Sequence, residues 1–182
     1  MMRIGSIRIH TFLVAAGIAA ALTLPTNASA QLAKGQKFLG VHLGLSGVGS
    51  AAAIGASGEV AYNDRISLGA WLDTWSYGDN YAVLGDAVSW NVRYVALAGT
   101  GAYHFPVESN PKLDPFLGLS LGYYVVSSST SSSIGGSYGG ASSRIFLGGF
   151  GGIRYHFREK VSAVARAGFG ASYLTLGLDF GM

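Results

Sequence analysis

Cysteine is absent from this chain, which excludes disulfide staples, thiol nucleophiles and thiolate metal sites. Proline is scarce, with four residues in 182, so few positions interrupt an extended backbone. Charge is scarce too. Asp, Glu, Lys and Arg make up 12% of the residues, about half the usual share of roughly 25%. Arg158-Glu159-Lys160 is the one charge run, and no basic patch suited to nucleic acid is present. Beyond residue 30 no segment approaches the roughly 18 consecutive apolar residues that a membrane-spanning helix needs, which argues against a helical membrane protein.

What is present at the start reads as an export signal. Arg3 and Arg8 form a basic segment, residues 11–24 form an apolar run of 14, and Pro25 breaks it. Ala28-Ser29-Ala30 then supplies a small-x-small cleavage site, so residues 1–30 are expected to be removed after Ala30. The run is short for a membrane anchor, and no Cys follows for a lipid anchor. Residues 31–182 are left as one domain. Two of the 12 basic residues and none of the nine acidic ones lie in the signal, so this domain carries +1. An exported domain without disulfides needs another source of cohesion. A closed barrel supplies it, because every strand is bonded on both sides.

The remaining residues alternate with period two, the signature of strands. Eight are expected, at about 37–46, 55–62, 66–75, 90–105, 115–126, 144–157, 161–170 and 173–180. One face of each can be drawn without charge. Leu39, Val41, Leu43 and Leu45 share such a face, as do Leu117, Leu119, Leu121, Tyr123 and Val125. So do Ile145, Leu147, Ile153, Tyr155 and Phe157, and Leu174, Leu176, Leu178 and Phe180. The opposite faces carry Gly, Ser, Thr, His, Arg, Asp and Glu. A soluble sheet turns its apolar face inward, whereas a membrane barrel turns it toward lipid around a polar interior. The expected fold is therefore all-β: an eight-stranded antiparallel up-and-down transmembrane β-barrel. The soluble alternative, a secreted ligand-binding barrel, would leave Glu59, Arg154 and Arg166 on its surface.

Connections sort by side. An even strand count puts both chain ends on one side, together with short turns at 63–65, 106–113 and 158–160. The connections at 76–89 and 127–143 fall on the other, and the second holds nine Ser and four Gly in 17 residues. Such a composition predicts a flexible, solvated loop. Short periplasmic turns and long external loops are the habit of outer-membrane barrels. Tyr62, Tyr103, Phe105, Tyr155, Phe157 and Phe180 fall at the lipid-facing, short-turn strand ends, which predicts a periplasmic aromatic girdle.

The same register points Trp71, Asp73 and Trp75 inward, with Glu59, Arg154, Arg166 and Asp179. Ionised groups inside so narrow a barrel must be paired or hydrated. Glu59, Arg154 and Arg166 are expected to form a lumenal network, either as a structural plug or as a gate. His42, His104 and His156 also fall on the inward face, as interior histidines or as metal ligands if three or more groups converge.

Three stretches carry a likeness to known proteins: Gly101-Ala102-Tyr103-His104-Phe105, Leu113-Asp114-Pro115-Phe116-Leu117-Gly118, and Leu174 to Phe180. With them the chain resembles the small eight-stranded outer-membrane barrels, the superfamily of the OmpA barrel, OmpX and the opacity proteins. The resemblance implies a Gram-negative-type outer membrane, contact with its lipid and lipopolysaccharide, and passage through the Sec export and outer-membrane assembly machineries. It also implies that Phe180 acts as the terminal aromatic read during assembly, here followed by Gly181 and Met182. Members include adhesins, invasion factors, anchors and a few lipid-modifying enzymes. No His here is followed two residues later by Ser, and no His-Glu-x-x-His occurs, so an enzyme is not expected. The expected role is structural or surface interaction of the adhesion type, with a surface receptor as partner, through 76–89 and 127–143. A narrow passive pore is the alternative and a lipid-modifying enzyme the third. No cofactor is expected.

Overall fold

The structure is a computed structural model that describes residues 32–46, 51–83, 86–132 and 135–182. The expected signal, residues 1–30, lies outside the described residues, as do 47–50, 84–85 and 133–134 within the expected connections. Eight strands follow in chain order: β1 (Lys37–Ser46), β2 (Ala52–Ala61), β3 (Ile66–Val83), β4 (Asp86–His104), β5 (Leu113–Ser132), β6 (Gly136–Arg158), β7 (Val161–Phe169) and β8 (Ser172–Gly181). Each pairs antiparallel with the next, and β8 returns to β1, so the sheet closes into a barrel. Among the described residues there is no helix.

The alternating pattern resolves with its apolar side outward. Leu119 is 66% exposed and Leu147 68%, whereas Arg154 is fully buried. Outward leucines on neighbouring strands form continuous ridges, as where Leu39 of β1 pairs with Phe180 of β8 and Val41 with Leu178. In water such a surface would aggregate. Against acyl chains it is the solvated side, and backbone polar groups are satisfied within the ladder. On β5 the apolar outward positions run from Leu117 to Val125, which matches the roughly 9–11 residues a tilted strand uses to cross a bilayer.

Glycine is used inside strands because the interior must hold large rings. Gly118 and Gly152 lie opposite Phe150 and Phe116, and Gly122 lies opposite Phe146, in the β5–β6 register. A Cβ at Gly118 would stand 2.4 Å from the Phe150 ring, and one at Gly122 would stand 2.3 Å from Phe146. Each ring therefore lies down over a glycine of the neighbouring strand, as glycine–aromatic cross-strand pairing requires. At the β7–β8 turn Gly170 has φ +112°, a conformation that favours glycine, and its carbonyl accepts a hydrogen bond from Tyr124 Oη.

Two expectations are corrected. Among the described residues the expected loops 76–89 and 127–143 are mostly strand, since β3 and β4 extend through 76–83 and 86–89, and β5 and β6 through 127–132 and 136–143. Serine and glycine are weak strand formers by side chain, but ladder hydrogen bonds are backbone bonds. Here Ser127 to Ser132 sit between Arg93 to Val88 on one side and Ala141 to Gly136 on the other. The second correction is Phe157, expected on the lipid face but 6% exposed. The β6–β7 register slips between His156 and Arg158, and an extra residue in one strand breaks the alternation of faces.

Candidate functional site

Three layers run from the short-turn end of the barrel to beyond its long-strand end. The first is built on Arg154 of β6. Inward positions of β2, β5 and β8 bring three carboxylates to it. Its Nη2 donates to Glu59 Oε2 at 2.7 Å, its Nε to Asp179 Oδ2 at 2.9 Å and its Nη1 to Asp114 Oδ2 at 3.3 Å. The guanidinium also lies over the Phe38 ring, 4.3 Å from its centre. His104 extends the cluster, with Nδ1 at 2.8 Å from Asp114 Oδ1 and Nε2 at 2.9 Å from Ser67 Oγ. A buried guanidinium is tolerable only when its donors are this fully used.

Arg166 of β7 stands one step removed. Its Nη2 is 3.9 Å from Asp179 Oδ2, the atom already held by Arg154. Asp73 belongs to a separate pair. Its Oδ1 lies 2.6 Å from His42 Nε2, and Ser172 Oγ donates to its Oδ2 at 3.1 Å. His156 is apart from both, with Nδ1 2.9 Å from Ser162 Oγ. The five charged residues expected on the inward face thus divide: Glu59, Arg154 and Asp179 meet, Arg166 of the expected network is peripheral, and Asp73 pairs elsewhere. Asp114 was missed because strand five was expected to start at 115. The parity of Leu117 and Leu119 extended back by one residue would have placed Asp114 inward.

The second layer is aromatic and closes the other end. Trp75 stacks on Tyr94 at 5.0 Å, Tyr124 stacks on Phe146 at 4.3 Å, and Trp75 meets Tyr124 edge-on. Trp71, below, packs against Phe150 at 5.0 Å. Both tryptophans point inward, as the register indicates. The lumenal cavities between these layers, one beside Glu59 and Ser67 and one beside His42 and Asp73, have volumes of about 20 and 10 Å³. Such volumes admit about one water each, so the barrel is filled rather than bored.

The third layer lies beyond the barrel. Outward residues stay apolar up to one row that crosses four strands, Thr74–Val95–Val125–Ser143. The next outward rows are Ser76–Arg93–Ser127–Ala141 and Gly78–Asn91–Ser129–Gly139. A surface this polar does not belong in hydrocarbon. β3–β6 therefore leave the membrane as a four-stranded sheet. β2 pairs with β3 only as far as Thr74, and β7 pairs with β6 only from Gly149 onward. At the opposite end Tyr62, Tyr103, Phe105, Tyr155 and Phe180 are exposed on the lipid-facing side, and Arg65 Nη1 donates to Tyr103 Oη at 3.1 Å.

A closed ring of eight antiparallel strands, apolar outside and filled with paired charge, defines a class: this is a transmembrane β-barrel with the fold of the small eight-stranded outer-membrane barrels. No family model matches the chain, and no curated protein matches it. Among solved structures it is similar to Ail, the attachment invasion locus protein of Yersinia pestis, solved with the heparin analogue sucrose octasulfate. That match has a TM-score of 0.60 and 12% identity over 82% of this chain and 99% of that one. It is also similar to the N-terminal β-barrel domain of Pseudomonas aeruginosa OprF (TM-score 0.50, 16% identity, 82% and 98% of the two chains). A de novo designed transmembrane β-barrel matches at a TM-score of 0.52 and 11% identity, over 84% and 99% of the two chains.

Proposed function

We propose that this protein is a non-enzymatic outer-membrane barrel that makes contacts outside the cell through the projecting part of β3–β6. One observation carries the reading: the lipid-facing apolar ridges stop at the Thr74–Ser143 row, while the strands continue to Val83 and Ser132. Material held rigidly beyond a membrane is available to a partner, here a receptor on another surface. The projecting edges of β3 and β6 add backbone groups that no neighbouring strand among the described residues covers. The name of Ail, an attachment protein, points in the same direction. The expected export signal, the exposed aromatics at the short-turn end and Phe180 support delivery by the Sec and outer-membrane assembly machineries into a lipopolysaccharide-bearing membrane. The filled lumen counts against the passive-pore alternative.

The test is a shortened barrel in which 76–93 and 127–141 are each replaced by a tight turn. It is expected to fold, judged by heat-modifiable gel mobility, and to lose attachment of expressing cells to host-cell monolayers. Attachment equal to that of the full-length protein would overturn the reading.

A further inference from the structure

The two faces of the projecting sheet differ. The face continuing the barrel's lipid side carries Ser, Asn and Gly, as in the row Asn80–Ser89–Ser131–Ser137. The face continuing the lumenal side carries rings. Tyr77 and Trp90 meet edge-on with centres 5.6 Å apart. The register then sets Asp79, Trp90, Thr130 and Tyr138 side by side across the four strands. Tyr138 is 74% exposed and Trp90 is partly exposed. Two strand spacings, about 10 Å, separate the Trp90 and Tyr138 positions, with the Thr130 position between them and Asp79 at the β3 end.

We propose that this lumen-side face binds an uncharged hexose oligosaccharide carried on an external surface; the inference rests on the surface-interaction reading above and names its ligand. A pyranose ring is amphipathic. Its axial C–H groups pack on an aromatic face, and its rim of hydroxyls takes hydrogen bonds from short polar side chains. Flat rings interleaved with a hydroxyl and a carboxylate match both halves of that chemistry. The spacing of Trp90 and Tyr138 suits two sugar rings in sequence. Charge selects among glycans. The charged side chains described on this face, Asp79 and Arg144, include no cluster of cations, whereas a sulfated chain calls for clustered Arg or Lys. A lipid tail would meet Thr130 and Asp79 without partners. Orientation selects the source. The sugars of surrounding lipid meet the Ser- and Asn-bearing face, while the ringed face looks over the barrel mouth toward the medium.

The experiment uses the full barrel refolded in sugar-free polyoxyethylene micelles and an array of neutral hexose oligosaccharides with sulfated glycans alongside. Neutral oligosaccharides are expected to bind and to shift tryptophan emission, and Trp90→Phe is expected to remove that shift. Tyr138→Ala, an exposed position that leaves the barrel intact, is expected to weaken binding at least tenfold. No binding of neutral sugars, binding of sulfated glycans alone, or unchanged binding by Tyr138→Ala would each overturn the inference. The two readings separate cleanly. If removing the projecting sheet abolishes cell attachment and no neutral sugar binds, the sugar inference falls and the surface reading stands. If attachment survives that removal, the surface reading falls.

Discussion

Arg154 holds four elements together through side chains alone. It draws Glu59 from β2, Asp114 from β5 and Asp179 from β8 to β6. Replacing it with Leu would leave three carboxylates facing one another in a closed interior. Loss of one partner from a buried ion pair costs about 3–5 kcal/mol, so Arg154→Leu is expected to lower the urea midpoint of the gel-mobility shift by an amount in that range. Arg166→Ala is expected to cost less, because its nearest carboxylate oxygen is 3.9 Å away and already bonded. Equal losses for the two would contradict the hub assignment. A residue on the outer surface tests orientation. Leu119→Arg would set a charge against lipid near mid-bilayer, at about 2–4 kcal/mol. A soluble barrel would place that side chain in its core, and the variant would fail to fold even in detergent-free buffer.

At the scale of elements, the β5–β6 pair departs most from what composition suggests. Its outer half is serine and glycine, yet it is paired on both sides of β5 as far as Ser132. Amide hydrogen exchange is expected to show protection through 127–131 relative to an unstructured segment, since those amides are in ladders. Exchange at the free-peptide rate would restore the loop. Lower in the same pair, Gly122→Val would drive a branched side chain into the Phe146 ring. Overpacking of this kind costs about 1–3 kcal/mol. The expected readout is a lower unfolding midpoint, partly relieved when Phe146→Ala is added, since the Leu97 carbonyl oxygen would still stand 2.7 Å from the new Cβ. Gly139→Ala, which meets only a backbone oxygen at 3.3 Å on the projecting sheet, is expected to change the midpoint far less.

For the whole molecule, the filled interior has a measurable consequence. Cavities of about 10–20 Å³ between the Arg154 cluster and the aromatic layer hold about one water each, too little for an open water column. In planar bilayers the barrel is expected to show no steady ionic conductance. A stable open level that persists in the native protein would favour the pore alternative. Opening is expected instead when both barriers are weakened, as in Arg154→Leu combined with Trp75→Ala.

Strand number, order and sidedness follow from the chain alone, because a period of two needs no partner to be expressed. Leu39, Leu117, Ile145 and Leu174 mark their ridges wherever the strand lies, and the scarcity of charge with no cysteine leaves few ways to be exported and cohesive. The inward placement of Glu59, Asp73, Arg154, Arg166 and Asp179 is legible for the same reason. Their grouping is not, since Arg154 and Glu59 are 95 residues apart and their meeting depends on barrel closure and stagger. Asp114 joined the cluster for that reason, and Asp73 left it for His42 on the adjoining side of the wall. Strand length was likewise decided in three dimensions. A serine tract reads as a loop until neighbours on both sides supply backbone partners, and Phe157 reads as lipid-facing until one slipped pair at the β6–β7 turn reverses it. Side-chain pattern is a local property of the chain; ladder extent, bulges and the convergence of charges are properties of the closed sheet.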